Sequence, residues 1–194
     1  GMGEENVERI KRQNRRKISV IIGNPPYNAN QQSENDNNKN RTYAHIDKRI
    51  KNTYIQTSKA QKTKLYDMYV RFLRWASDRL GEDGILAFVS NSSFLHKNSF
   101  DGVRAVLERE FNELWALDLK GDARSSGEAR RKQGGNVFGD QIKVGIAIYV
   151  LVKRKGAKGF RIHYDAVGDY VGASDKIAFL GQPLSERRMT TIQP

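Results

Sequence analysis

The stretch Ile18-Ser19-Val20-Ile21-Ile22-Gly23-Asn24-Pro25-Pro26-Tyr27 decides how the rest of the chain is read. Ile18 through Ile22 is a short β-branched run with the pattern of a strand buried on both faces, and Gly23 closes it. Two successive prolines fix their own φ angles and carry no N–H. The strand therefore runs into a stiff turn that presents carbonyls rather than donors. Upstream, residues 1–17 are rich in charge with sparse apolar anchors and read as a lead-in helix or linker. Gly1-Met2 has the look of a cleavage remnant ahead of a start codon.

Downstream, residues 28–40 are almost entirely Asn, Gln, Ser and charge, too polar to pack, and read as a long exposed loop. Leu65, Tyr69, Phe72, Ala76 and Leu80 recur every three or four residues and predict a helix that Gly81 terminates. Ile85 through Val89 predicts a second strand, and Phe100, Val103, Leu107 and Phe111 a second helical face. Leu114–Leu119 and Val144–Val152 supply two more strands, while Lys120–Gln141 shows no hydrophobic period and reads as a loop. The alternation of strand and helix implies an α/β fold with a mostly parallel sheet covered by helices on both faces. The last forty or so residues, with Gly168 and Gly172 as breakers, read as mixed strand and turn.

The chain has 194 residues, 38% of them hydrophobic, enough for one core and so for one domain or a large piece of one. Its 34 Lys and Arg against 22 Asp and Glu leave a formal charge of +12, which favours a polyanion, nucleic acid before membrane, as partner. There is no cysteine, which removes disulfides, thiolate zinc sites and cysteine nucleophiles. His45, His96 and His163 lack a second histidine at zinc-site spacing, so no metal is expected and solvated or capping roles suit them better. The longest apolar run is far short of a bilayer span and the amino end is charged, so a soluble, cytoplasmic protein is expected.

In an open α/β sheet, ligands bind beyond the carboxyl ends of the parallel strands, where Asn24 through Tyr27 fall. An amino group attached to an aromatic ring is a poor nucleophile because its lone pair is delocalised into the ring. Acceptors aimed at its two N–H bonds draw that pair out of conjugation. The Asn24 side-chain oxygen and the Pro25 carbonyl are such acceptors and need no shifted pKa, while Tyr27 offers an aromatic face for an unstacked base.

Asn24-Pro25-Pro26-Tyr27 resembles the signature of S-adenosylmethionine-dependent amino methyltransferases, the Asn form being typical of adenine-N6 enzymes. Further segments resemble the methyltransferase part of Type ISP restriction-modification enzymes: Ser33-Glu34-Asn35-Asp36-Asn37-Asn38, Leu65-Tyr66-Asp67, Arg74-Trp75-Ala76-Ser77-Asp78-Arg79, and Ser126-Gly127-Glu128 through Gly135. The likeness runs from Val20 to Val152. It implies the later half of a Rossmann-like methyltransferase fold over residues 18–155, with an antiparallel last strand. Residues 156–194 would then be an extension leading toward a target-recognition domain outside the chain. It implies double-stranded DNA with a flipped adenine as substrate, and the nuclease, translocase and recognition domains of a larger polypeptide as partners. It also implies Phe138, in Asn136-Val137-Phe138, as a second aromatic that sandwiches the base with Tyr27.

The family's cofactor site needs a glycine-rich turn after an earlier strand, which this sequence lacks upstream of Val20. The S-adenosylmethionine pocket is therefore expected to be incomplete and the isolated chain inactive. Lys39, Arg41, Arg124, Arg130, Arg131 and Lys132 are candidates for DNA phosphates, or else simply solvated. Two other readings stay open: a non-catalytic DNA-binding fragment, and a methyltransferase acting on protein glutamine or RNA.

Overall fold

A computed structural model describes residues 3–26, 43–59, 67–96 and 100–192 of the chain. Its order is α1 (Glu4–Arg15), β1 (Ile18–Gly23), α2 (Ala44–Ile50), a π-helical turn (Lys51–Ile55), α3 (Met68–Arg79), β2 (Leu80–Asn91), a 3-10 turn (Ser92–Leu95) and α4 (Asp101–Glu110). There follow β3 (Glu113–Asp118), α5 (Gly127–Gln133), β4 (Ile146–Lys153), β5 (Arg161–Ala166), α6 (Ala173–Leu180), a second 3-10 turn (Leu184–Glu186) and β6 (Thr190–Ile192).

The strands form one sheet in the order β1-β2-β4-β3-β5-β6. β1 lies parallel to β2 and β3 parallel to β5, while β4 runs antiparallel to both β2 and β3, and β6 antiparallel to β5. Four strands thus share one direction, and β4 is inserted between two of them. Its burial explains its near-continuous apolarity: Ile146, Ala147, Tyr149 and Leu151 are fully buried.

One face of the sheet carries Ile21, Leu86, Phe88, Leu114, Ala116, Tyr149 and Leu151. It packs against Tyr69, Val70, Leu73 and Ala76 of α3 and Val103, Val106 and Leu107 of α4 in the main core. A smaller cluster on the other face joins Leu119, Val144, Ile146 and Val167 to Phe179 and Leu180 of α6.

Several expectations are corrected here. β1 is not buried on both faces: only Ile21 is, whereas Val20 is 54% and Ile22 80% exposed, because no described element covers that side of β1 and β2. Gly81 does not terminate α3. Leu80 already has extended backbone, buries itself, and pairs with Ile18 as the first residue of β2. The register then jumps from Ile18↔Leu80 to Val20↔Ile85, so the residues between Leu80 and Ile85 form a bulge with Glu82 and Asp83 in water. Lys120–Gln141 is not all loop but holds α5, and the C-terminal residues hold α6 as well as strands. β5 pairs with β3 and Phe160 joins the main core, so the sheet continues past residue 155. Leu65, at the predicted start of the α3 face, lies outside the described residues.

Candidate active site

β1 ends at Gly23, paired with Phe88, so Asn24-Pro25-Pro26 leaves the carboxyl edge of the parallel strands. Gly23 has a steric reason to be there: a Cβ would lie 2.2 Å from Cζ of Phe72, whose ring closes directly on the backbone. Phe72 in turn meets Phe88 edge-on at 6.1 Å. The floor beneath the turn is therefore aromatic and rigid. Asn24 is exposed, Pro25 is buried, and Pro26 is exposed.

Both prolines line an apolar cleft of about 590 Å³ with Tyr43, Met68, Phe72 and Trp75. Arg71, which also lines it, is bound to both carboxylate oxygens of Asp47 at 2.7 and 3.0 Å and lies 4.9 Å over the Tyr43 ring. Tyr27, Lys39 and Arg41, like Ser33–Asn38, fall outside the described residues.

The loop entering β4 reaches the same edge of the sheet, since Ile146 pairs with Asn91 at the end of β2. Ser92 N–H donates to the Gly145 carbonyl at 2.9 Å, and the buried Tyr149 hydroxyl donates to the Asn91 carbonyl at 3.0 Å. Burial holds that phenol well above its ordinary pKa, so it remains a donor. Phe138 sits on this loop, 46% exposed, in a turn closed by Gly139 N–H to the Asn136 carbonyl at 3.0 Å. Asn136 is buried; its side chain donates to the carbonyls of Gly121 and Val144 and accepts the Phe138 N–H.

α5 carries three of the four basic candidates that lie among the described residues. Arg131 pairs with Glu128 at 2.6 Å, Arg130 donates to the Gly134 carbonyl at 3.3 Å, and Lys132 is exposed. Arg124, just before the helix, binds both oxygens of Asp122. α5 is fastened by its last carbonyl, that of Gln133, which accepts from Gly121 N–H at 3.1 Å and from Lys176 Nζ at 2.7 Å. Lys176 is fully buried, and burial pushes its ammonium down to about 8.

Sequence reasoning gave no role to Asn136, Lys176 or Asp118. The last is a buried carboxylate that accepts from Lys120 N–H at 2.9 Å and the Tyr164 hydroxyl at 3.1 Å, with His96 at 3.8 Å. Their remaining partners are distant in sequence: Gly121 and Val144 for Asn136, Gln133 for Lys176, Tyr164 for Asp118. Asn136 and Asp118 also each accept the N–H two residues on, and Asn136, flanked by glycines, has the composition of an Asx-turn.

Among the described residues no group of three or more His, Asp or Glu is arranged to hold a metal ion, and no helix is long and apolar enough to cross a membrane.

Residues 3–120 match the Eco57I restriction-modification methylase family. No curated protein matches the chain. Three solved structures are similar over nearly its whole length. The DrdV–DNA complex is 55% identical over 99% of this chain, with a TM-score of 0.89. A nuclease-deletion mutant of the Type ISP restriction-modification enzyme LlaGI, with a DNA substrate mimic, is 42% identical over 98%, TM-score 0.89. The ATP-dependent Type ISP enzyme LlaBIII bound to DNA is 36% identical over 98%, TM-score 0.86. The chain spans 19%, 18% and 13% of those three polypeptides respectively.

Proposed function

The chain belongs to the Eco57I restriction-modification methylase family, and from that premise we propose that it forms the target-base part of a DNA adenine-N6 methyltransferase within a restriction-modification enzyme. The observation that carries the reading is the stiff Asn24-Pro25-Pro26 turn, set at the carboxyl edge of the sheet with its asparagine in solvent. DNA in the complexes of three relatives supports nucleic acid as partner.

In this reading Asn24 Oδ1 and the Pro25 carbonyl accept the two N6–H bonds of an adenine swung out of its duplex. The nitrogen lone pair then leaves conjugation with the ring and is free to attack the methyl group of S-adenosylmethionine, whose bond to the sulfonium sulfur would break with its electron pair left on sulfur, while one N–H proton passes to water. No residue has to change protonation state. Tyr27 and Phe138 hold the base by stacking, worth roughly 1–3 kcal/mol per aromatic.

S-adenosylmethionine would supply the electrophilic methyl group. Among the described residues no strand-to-helix turn has the Gly-x-Gly-x-x-Gly spacing for it: prolines follow β1, Gly81 and Gly84 lie within β2, and Gly168 and Gly172, between β5 and α6, stand four residues apart. The chain by itself is accordingly expected to bind this cofactor weakly. Titration calorimetry giving micromolar affinity for the 194 residues alone would refute that.

The reading is tested with the full polypeptide encoded by the gene. Its incubation with duplex DNA and S-adenosylmethionine should yield N6-methyladenine by mass spectrometry. Asn24→Ala should cut turnover by about 10²-fold or more, as loss of a positioned hydrogen-bonding group does elsewhere. Methylation of another acceptor, or an Asn24→Ala enzyme of normal turnover, would overturn it.

A further inference from the structure

Asn136 sits two residues before Phe138 and uses both ends of its amide. Its Nδ2 donates to Gly121 O at 3.3 Å and Val144 O at 2.9 Å, and its Oδ1 accepts Phe138 N–H at 3.0 Å. The residue is only 6% exposed. Gly121 comes just after β3 and Val144 just before β4, so one side chain ties the turn to the ends of two strands of the sheet. The fit is close: a Cβ on Gly121, where φ is +90°, would lie 3.0 Å from the Asn136 Cα.

Val137 packs into the smaller core cluster, while Phe138, the next residue, stays 46% exposed. An Asx-turn thus buries one side chain and turns its aromatic neighbour outward. No other side chain supplies this set of bonds at this length. Asp lacks both donors, Ser is too short for two carbonyls, and Gln is a methylene too long.

We propose that Asn136 is a positioning residue that fixes the Phe138 ring for stacking on the extruded base. The inference deepens the function proposed above and rests on its reading of Phe138. Because the turn is fastened to the segments that leave β3 and enter β4, the ring is held before the base arrives, and little freedom is lost on stacking.

The test uses the full polypeptide and duplex DNA carrying the site it methylates, with 2-aminopurine in place of the target adenine. Fluorescence of that base reports extrusion and capture, and turnover is measured on the adenine duplex. Phe138→Ala and Asn136→Ala should each lower captured-base signal and kcat by about tenfold or more, with little change in KM. The double variant should be no worse than the poorer single one. Val103→Ala, a core truncation in α4 chosen to match the loss of unfolding midpoint, should leave the capture signal unchanged.

Should Asn136→Ala not fold, Asn136→Asp decides. It keeps the acceptor for Phe138 N–H but loses both donors, and should fall between wild type and Phe138→Ala, adding nothing to the latter. A Phe138→Ala enzyme with normal capture would sink the stacking role itself. Loss in Phe138→Ala with an Asn136 variant that behaves like Val103→Ala, or multiplied losses in the double variant, would sink the positioning role of Asn136 alone.

Discussion

Lys132 and Arg131 are neighbours on α5, yet their electrostatic positions differ. Arg131 already faces Glu128 at 2.6 Å, and Arg124 is likewise held by Asp122, whereas Lys132 is exposed and makes no direct ion pair among the described residues, the carboxylate whose charge it feels, Asp169, being bound to Lys120. If α5 meets DNA, a cation already compensated by its own carboxylate releases fewer counterions from a phosphate. Lys132→Ala should therefore flatten the plot of log affinity against log salt by about 0.9, and Arg131→Ala by clearly less. Anisotropy titrations of labelled duplex at several salt concentrations measure both slopes, and no change for Lys132→Ala would remove that side chain from the interface. Residue-level chemistry was legible in the sequence where it is backbone-local. A proline pair is stiff wherever it stands, so the turn at Asn24 could be read directly. Asn136 was legible only as a turn former, because two of its three bonds reach Gly121 and Val144, 15 and 8 residues away. Arg74 escaped for the opposite reason: it occupies a core face, 1% exposed, where composition argues for an apolar residue.

The elements divide in the same way. α4 was legible because Phe100, Val103, Leu107 and Phe111 all bury on one stripe, and β4 because its residues are covered on both sides as an inserted strand. α5 left no period because it buries no residue; its ends hold it, not a face. Gly134, its C-cap, has φ +66° and ψ −159°, and a Cβ there would stand 2.0 Å from the Val171 carbonyl oxygen. This backbone region is open essentially to glycine alone, at a cost of about 1–3 kcal/mol for other residues. Gly134→Ala should therefore free α5 from the sheet edge. Amide hydrogen exchange is expected to accelerate across Gly127–Gln133 and leave β2 and β4 protected. Exchange unchanged in α5 would mean that the helix is held by something other than this cap.

At the scale of the molecule, what joins the helices over the main core is a charged network inside an apolar layer. Arg74 of α3 donates to Asp78 on its own helix at 2.8 Å and to Glu110 at the end of α4 at 2.9 Å. Its guanidinium lies 5.2 Å from the buried Tyr54 ring. Arg49 of α2 grips Asp78 with two bonds of 2.8 Å, so this carboxylate joins α2 to α3, and Arg74 carries the link on to α4. Burial by itself pushes the Asp78 carboxyl up, but the Arg49 and Arg74 guanidiniums outweigh it and leave the folded pKa below the ordinary 3.8. A depressed carboxyl stabilises the fold fully above its unfolded pKa and loses that contribution as pH falls from there through the folded value. Asp78→Asn keeps the shape and removes the charge. At neutral pH it should cost about 1–2 kcal/mol, the value of a charge-assisted bond reduced because 27% of the Asp78 side chain meets water. The gap between wild type and variant in urea unfolding should then narrow as pH is lowered below 3.8. A gap that stays constant from pH about 6 to pH about 2 would show that Asp78 acts through packing and not through its charge, since only the ionised form is linked to protons.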